Sequence, residues 1–188
     1  MVKCVSKVYI SKINGVEKLL VKKLLDEKKT ITFAESCTGG LLSKKITDIS
    51  GASACFECGF VTYSNEKKEK LLGVSHDTLT KYGAVSNQTA YEMCKGAKEV
   101  ADAEIAISVT GIAGPTGGTA EKPVGLVYVG VCADNIHGVV NLNLSGTREE
   151  VREKTSLCAF SLALMALENR LTSCPENGTL LDVEYIQD

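Results

Sequence analysis

Residues 31–49 read ITFAESCTGGLLSKKITDI, and the fold class follows from this stretch. Ile31–Ala34 is a short strand-prone run, and Glu35-Ser36-Cys37-Thr38-Gly39-Gly40 is a turn of small residues. Beyond it, Leu41, Leu42, Lys45, Ile46 and Ile49 recur at the spacing of an amphipathic helix. Strand, glycine turn and helix together form the repeating unit of α/β proteins. Upstream, Val16, Leu19, Leu20 and Leu24 share a helical face, with the stem of Lys23 laid along it and Lys28–Lys29 closing the helix. Downstream, Cys55 to Tyr63 is rich in aromatic and β-branched residues and reads as a second strand. Ser64-Asn65 follows, with Asn65 placed to cap a helix from Glu66 to Leu72. A short helix over Asp77 to Tyr82, a longer one capped by Ser86 and running through Val100, and a strand over Ile105–Val109 continue the alternation.

Gly125–Ala133 and Gly138–Leu144 read as a hairpin turning at Asp134-Asn135. Thr147 and Glu150 form a T-x-x-E capping box for a last helix that ends near Arg170, with Val151, Thr155, Cys158, Leu162 and Met165 on one face. No internal repeat occurs. The fold expected is α/β, a three-layer α/β/α sandwich whose mostly parallel sheet carries an antiparallel member, with its site at the strand C-termini. Residues 1–15 are expected as an arm, edge strand or linker and 16–170 as the domain. Residues 171–188, with four acids and no lysine or arginine, are expected as an exposed tail.

Composition narrows the function. A chain of 188 residues with 44% hydrophobic and 23% charged positions suits one globular domain. A formal charge of −2 gives no cationic field for nucleic acid, and no apolar run approaches the length of a membrane span. With two histidines in the chain, multi-histidine metal sites and most His-dependent hydrolase schemes have few players. Eight cysteines without a secretory signal peptide point to cytoplasmic thiols rather than a disulfide framework. Cys4, Cys37, Cys94, Cys132, Cys158 and Cys174 stand singly as small hydrophobes. Cys55 and Cys58 form one C-x-x-C within the expected strand, with no second pair to complete a zinc site.

The candidate site centres on Ser36, because a hydroxyl on a glycine turn between strand and helix stands at the sheet edge beside backbone N–H groups. Those of Thr38, Gly39 and Gly40 could hold an oxyanion. Against this stands the common use of Ser or Thr as a helix cap, and Cys37 is a rival nucleophile. With histidine scarce, the base expected for Ser36 is Lys68. Placed at the third helical position, it would have its ammonium disfavoured by the helix dipole, with Tyr63 bridging the two. A solvated lysine face over Lys67, Lys68 and Lys70 is the plain alternative. The loop from Thr110 to Thr119 lacks the spacing of a nucleotide-triphosphate loop, though its amides and the hydroxyls of Thr110 and Thr119 could form an anion nest. Arg148 and Arg152, four apart, could clamp an anion or pair with Glu149 and Glu153.

Ala34-Glu35-Ser36-Cys37-Thr38-Gly39-Gly40, Gly59-Phe60-Val61-Thr62-Tyr63-Ser64-Asn65, Gly83-Ala84-Val85-Ser86, Thr110-Gly111-Ile112-Ala113-Gly114-Pro115 and Glu121-Lys122-Pro123-Val124-Gly125 together resemble the CinA C-terminal domain family, which includes bacterial nicotinamide-nucleotide amidases. The resemblance covers about residues 16–170. It implies a five-stranded mixed sheet, a homo-oligomer, and metal-free, cofactor-free deamidation of nicotinamide mononucleotide to nicotinate mononucleotide and ammonia in pyridine-nucleotide salvage. Ser36 would be the nucleophile and Tyr63 and Lys68 its partners. Thr110, Gly111 and Gly114 would meet the nucleotide, and Arg148 its phosphate or the active site. Many members carry this domain behind a large N-terminal nucleotide-binding domain, for which residues 1–13 would be the linker. The C-x-x-C is not required by the family's chemistry. A non-catalytic pyridine-nucleotide-binding module and a Cys37 thiol enzyme remain as competing functions.

Overall fold

A computed structural model describes residues 8–10, 15–134, 136–171, 180–181 and 183–185. Its elements in chain order are β1 (Val8–Ile10), α1 (Val16–Glu27), β2 (Ile31–Glu35), α2 (Leu41–Thr47), a 3-10 turn (Ala52–Ala54), β3 (Gly59–Val61), α3 (Asn65–Leu72), α4 (His76–Tyr82), α5 (Asn87–Ala101), β4 (Ile105–Gly111), β5 (Leu126–Ala133), β6 (Ile136–Asn143), α6 (Arg148–Leu167), β7 (Leu180–Leu181) and β8 (Val183–Tyr185). The main sheet runs β3-β2-β4-β5-β6-β7. Its β2/β3, β2/β4 and β6/β7 pairs are parallel, while β5 is antiparallel to both β4 and β6. Five strands make the body of a mixed sheet, with β5 as the reversed member and the two-residue β7 added along β6.

Alternation along β4 sorts its side chains to the two faces. Ile105, Ile107 and Val109 join Phe33, Val127, Val129 and Val131 in the larger core under α1, α2 and α6. Ala106 on the other face meets Ala34, Met93, Cys94 and Cys132 under α5, with α3 and α4 packed beside that helix. This second layer is thin because α5 lies close to the sheet. A Cβ on Gly130 would come within 3.0 Å of the Ala90 carbonyl, and Ser108 donates to that same oxygen at 2.5 Å. These are the three layers expected of alternating strands and helices. No described helix is long and apolar enough to cross a membrane.

Four expectations change. The second strand is three residues long rather than Cys55 to Tyr63, because Cys55 and Phe56 close the 3-10 turn by donating to the Ala52 carbonyl. The C-x-x-C therefore precedes the ladder, with Cys55 buried and Cys58 exposed. Helix α3 is capped by Ser64, whose hydroxyl accepts from the Lys67 amide, so it starts one residue earlier than Asn65 as cap would allow. Helix α6 has its capping box but ends at Leu167, and it is buried well beyond the one face predicted, since it lies between the sheet and α1. Finally, the acidic segment supplies β7 along β6 and β8 alongside β1. Cys4 and Cys174 lie outside the described residues, and the described cysteines are all free.

Candidate active site

The parallel strands β2, β3 and β4 end together, with Glu35 in register with Val61 on one side and Val109 on the other. Ser36 takes one more step along the sheet, its amide donating to the Val109 carbonyl at 3.0 Å, before the chain turns. The turn is tight: the Gly39 amide donates to the Ser36 carbonyl at 3.1 Å and the Leu41 amide to that of Thr38 at 3.3 Å. Gly39 and Gly40 have φ of 60° and 95°, the left-handed region in which side-chain-bearing residues are strained.

Neither Ser36 nor Thr38 caps α2. The cap position is Gly40, and the acceptor comes from the end of β2. Glu35, fully buried, accepts from the amides of Gly40 and Leu42 at 3.0 Å and from the amide and hydroxyl of Ser43 at 2.9 and 2.8 Å. The helix start is thus satisfied by a carboxylate, which leaves the Ser36 hydroxyl outside the capping arrangement. The Gly40 amide is engaged by this carboxylate and the Gly39 amide by the Ser36 carbonyl, which removes both from the candidate oxyanion donors. The amides of Cys37 and Thr38 make no backbone hydrogen bond.

Lys68 is 1% exposed despite standing in a lysine-rich helix. Its Nζ lies 3.1 Å from Ser36 Oγ and donates to the Thr62 carbonyl at 2.7 Å. Burial is what disfavours its ammonium, lowering the pKa to about 8 from the ordinary 10.5. With Ser64 as cap, Lys68 stands fourth in the helix rather than third. Its neighbour Lys67 faces solvent against Glu66. Cys37, 6% exposed, has its thiol pushed up to about 12 by the same desolvation, so it stays protonated at neutral pH and is a poor nucleophile.

Tyr63 does not bridge Ser36 and Lys68. Its side chain is exposed, and its hydroxyl accepts from Arg148 Nη2 at 3.3 Å. Arg148 also donates through Nη1 to the Gly114 carbonyl at 2.8 Å. Arg152 turns to another oxygen, donating through Nε at 3.0 Å and through Nη2 to the Thr38 carbonyl. The two arginines thus hold backbone carbonyls on different segments. Among the described residues they form no shared clamp and no ion pair with Glu149 or Glu153. Thr110, 1% exposed, donates to the Ala84 carbonyl at 2.7 Å, and the Thr119 hydroxyl oxygen accepts from the Lys122 amide within its own turn. The hydroxyls expected to line an anion nest are therefore engaged with backbone.

A cavity of about 250 Å³ opens at this end of the sheet. Ser36, Tyr63, Lys68, Thr110, Gly111, Gly114 and Arg148 all line it, whereas Thr38, Gly39 and Gly40 do not. Two cationic side chains, Lys68 and Arg148, and no acidic one reach its lining. Among the described residues no cluster of three His, Cys, Asp or Glu side chains is arranged to hold a metal ion. Sequence reasoning missed the work of Glu35. The available signal was a helix beginning at Gly-Gly, which offers no side-chain acceptor and so requires one from elsewhere.

Comparison with known proteins gives the family. The family model for the CinA C-terminal domain matches residues 13–167. A CinA-like protein of Endomicrobium trichonymphae is 52% identical over 139 residues, which is 74% of this chain and 32% of that protein.

 

A CinA-like protein of Thermotoga neapolitana is 45% identical over 163 residues, 87% of this chain and 38% of that protein. The chain thus spans little more than a third of the length of the curated relatives it matches. Among solved structures, the competence/damage inducible protein CihA from Agrobacterium tumefaciens superposes with a TM-score of 0.78 at 40% identity, covering 87% of this chain and 99% of that one. The matched residues carry the sheet, the turn at Ser36 and the buried Lys68 alike, and the chain belongs to the CinA C-terminal domain family.

Proposed function

We propose that the chain is a serine amidase that hydrolyses the carboxamide of nicotinamide mononucleotide to nicotinate mononucleotide and ammonia. The observation that carries this reading is the buried Lys68 Nζ at 3.1 Å from Ser36 Oγ, with a pKa lowered to about 8. A lysine that loses its proton this readily can act as a general base near neutral pH. The neutral amine takes the Ser36 proton as Oγ attacks the amide carbon, and the carbonyl oxygen becomes an oxyanion held by the Cys37 amide. When the C–N bond breaks, the Lys68 ammonium returns its proton to the leaving nitrogen and ammonia departs. Water then adds to the acyl ester, giving its proton to Lys68, and collapse of the second tetrahedral intermediate returns the proton to Ser36 Oγ and frees the carboxylate.

The lining supports an anionic ligand, since Arg148 brings a guanidinium to a cavity that no acidic side chain enters. The substrate's identity rests on the family resemblance. The test is formation of ammonia and nicotinate mononucleotide from nicotinamide mononucleotide by the wild type and by Ser36→Ala. Turnover in the wild type that is lost in Ser36→Ala supports the amidase. Nucleotide bound by the wild type with no product formed would favour a binding module instead.

A further inference from the structure

The reaction scheme leaves Arg152 without a part, although its guanidinium holds the turn that carries the nucleophile. Both Nε, at 3.0 Å, and Nη2 donate to the Thr38 carbonyl. Among the described residues no carboxylate pairs with Arg152. That carbonyl shares a peptide unit with the Gly39 amide, which donates to the Ser36 carbonyl at 3.1 Å. The Ser36 carbonyl in turn shares a peptide unit with the Cys37 amide, which has no backbone acceptor. An unbroken chain therefore runs from the guanidinium through two peptide units to the N–H that follows the nucleophile. Hydrogen bonds in such a chain polarise one another, by about 10–30% per bond. The Thr38 amide is not on this chain, because its peptide unit carries the Cys37 carbonyl.

Glu35 makes the arrangement directional. Its carboxylate engages the amides of Gly40, Leu42 and Ser43 on the helix side, so the cation stands on the carbonyl side of the turn and the anion on the amide side. We propose that Arg152 is a positioning residue that orients the Cys37 amide and strengthens it as an oxyanion donor. The proposal rests on the amidase reading for its catalytic consequence, but the polarisation itself does not.

The test uses the full chain, with Arg152→Gln removing the charge and Arg152→Lys keeping it. In Arg152→Gln, kcat should fall about tenfold with KM within about twofold, a smaller loss than the roughly 10²–10³ seen when an oxyanion donor is removed outright. Affinity for pyridine-3-boronic acid, which forms a tetrahedral adduct with an active serine, should fall in parallel. Arg152→Lys should recover part of both. Independently of turnover, the Cys37 amide proton should shift upfield by NMR in Arg152→Gln and shift less in Arg152→Lys, with the Thr38 amide moving less than Cys37. An unchanged Cys37 resonance in Arg152→Gln would overturn the proposal, as would a KM rise that accounts for the whole activity loss. If the wild type hydrolyses no amide, the amidase reading fails, and the Cys37 shift alone decides whether Arg152 polarises this amide.

Discussion

Two glycine-rich segments meet at the same end of the sheet and are built in opposite ways. The turn from Ser36 to Gly40 is fixed by two charged side chains, Glu35 on amides and Arg152 on a carbonyl, and it follows a fully buried strand. The loop from Ile112 to Gly125 is tied at its base by backbone bonds to Leu126 and within itself, and its middle, from Pro115 to Glu121, is exposed. A side chain from elsewhere, Arg148, reaches it at the Gly114 carbonyl, and the loop's own Lys122 reaches out to the Tyr82 carbonyl. Glycine content therefore does not distinguish a rigid turn from a pliant loop. What separates them is whether buried charge satisfies the backbone, and the rigid segment is the one that presents the nucleophile.

The largest effect expected is on chemistry at the rigid turn. Lys68→Met should lower kcat by about 10³-fold, within the range for loss of a general base. In the wild type, kcat/KM should rise with pH and level off above about 8, as Lys68 becomes neutral. The stability consequence has a definite sign. The folded pKa lies below the unfolded 10.5, so the unfolded chain binds more protons between about pH 8 and 10.5. The buried ammonium is thus a destabilising contribution, on the order of 3 kcal/mol, fully present below pH 8 and fading as pH rises through that window. Lys68→Met removes it while leaving the Thr62 carbonyl unpaired, so denaturant unfolding at pH 7 should give a stability within about 2 kcal/mol of the wild type. Turnover that survives Lys68→Met would remove the lysine as base.

Next in size is the lock itself. Glu35→Gln keeps the volume but replaces one acceptor oxygen by an NH₂ group that faces amide donors. Because these groups are buried, unfolding in urea should show a loss of about 2–4 kcal/mol. Activity per folded molecule should fall as well, since the turn that orients Ser36 loses its support. A stability change below about 0.5 kcal/mol would mean that the turn holds its shape without the carboxylate, and the contrast between the two segments would lose its basis.

How much of this was legible in the sequence depends on the range of each interaction. The strand, turn and helix around Ser36, the capping box at Thr147 and the Ser86 cap rest on local spacing, and each stands where the pattern placed it. Lys68 was found because scarce histidine left few bases, but the cause of its lowered pKa is burial, which no local pattern encodes. Tyr63 was assigned to the wrong partner because its contact with Arg148 joins a strand end to a distant helix. The work of Glu35 is not legible in the motif, since capping rules look for an acceptor at the helix start and this one arrives from the preceding strand.

The smallest effect belongs to the pliant loop and gives the comparison its sharpest edge. Lys122 Nζ donates to the Tyr82 carbonyl at 2.7 Å, an exposed contact between the loop and the end of α4. An exposed hydrogen bond of this kind exchanges readily with water, so Lys122→Ala should change stability by no more than about 0.5–1 kcal/mol. The loop keeps its own turn, because the Thr119 amide still donates to the carbonyl of residue 122. Gly114, Thr116 and Gly117 of this loop line the cavity, so loosening the tie should raise KM by a factor of about 2–3 while kcat stays the same. A tenfold fall in kcat would place the loop in the chemical step and break the division of labour between the two segments. A rise in KM alone would assign the turn to chemistry and the loop to binding.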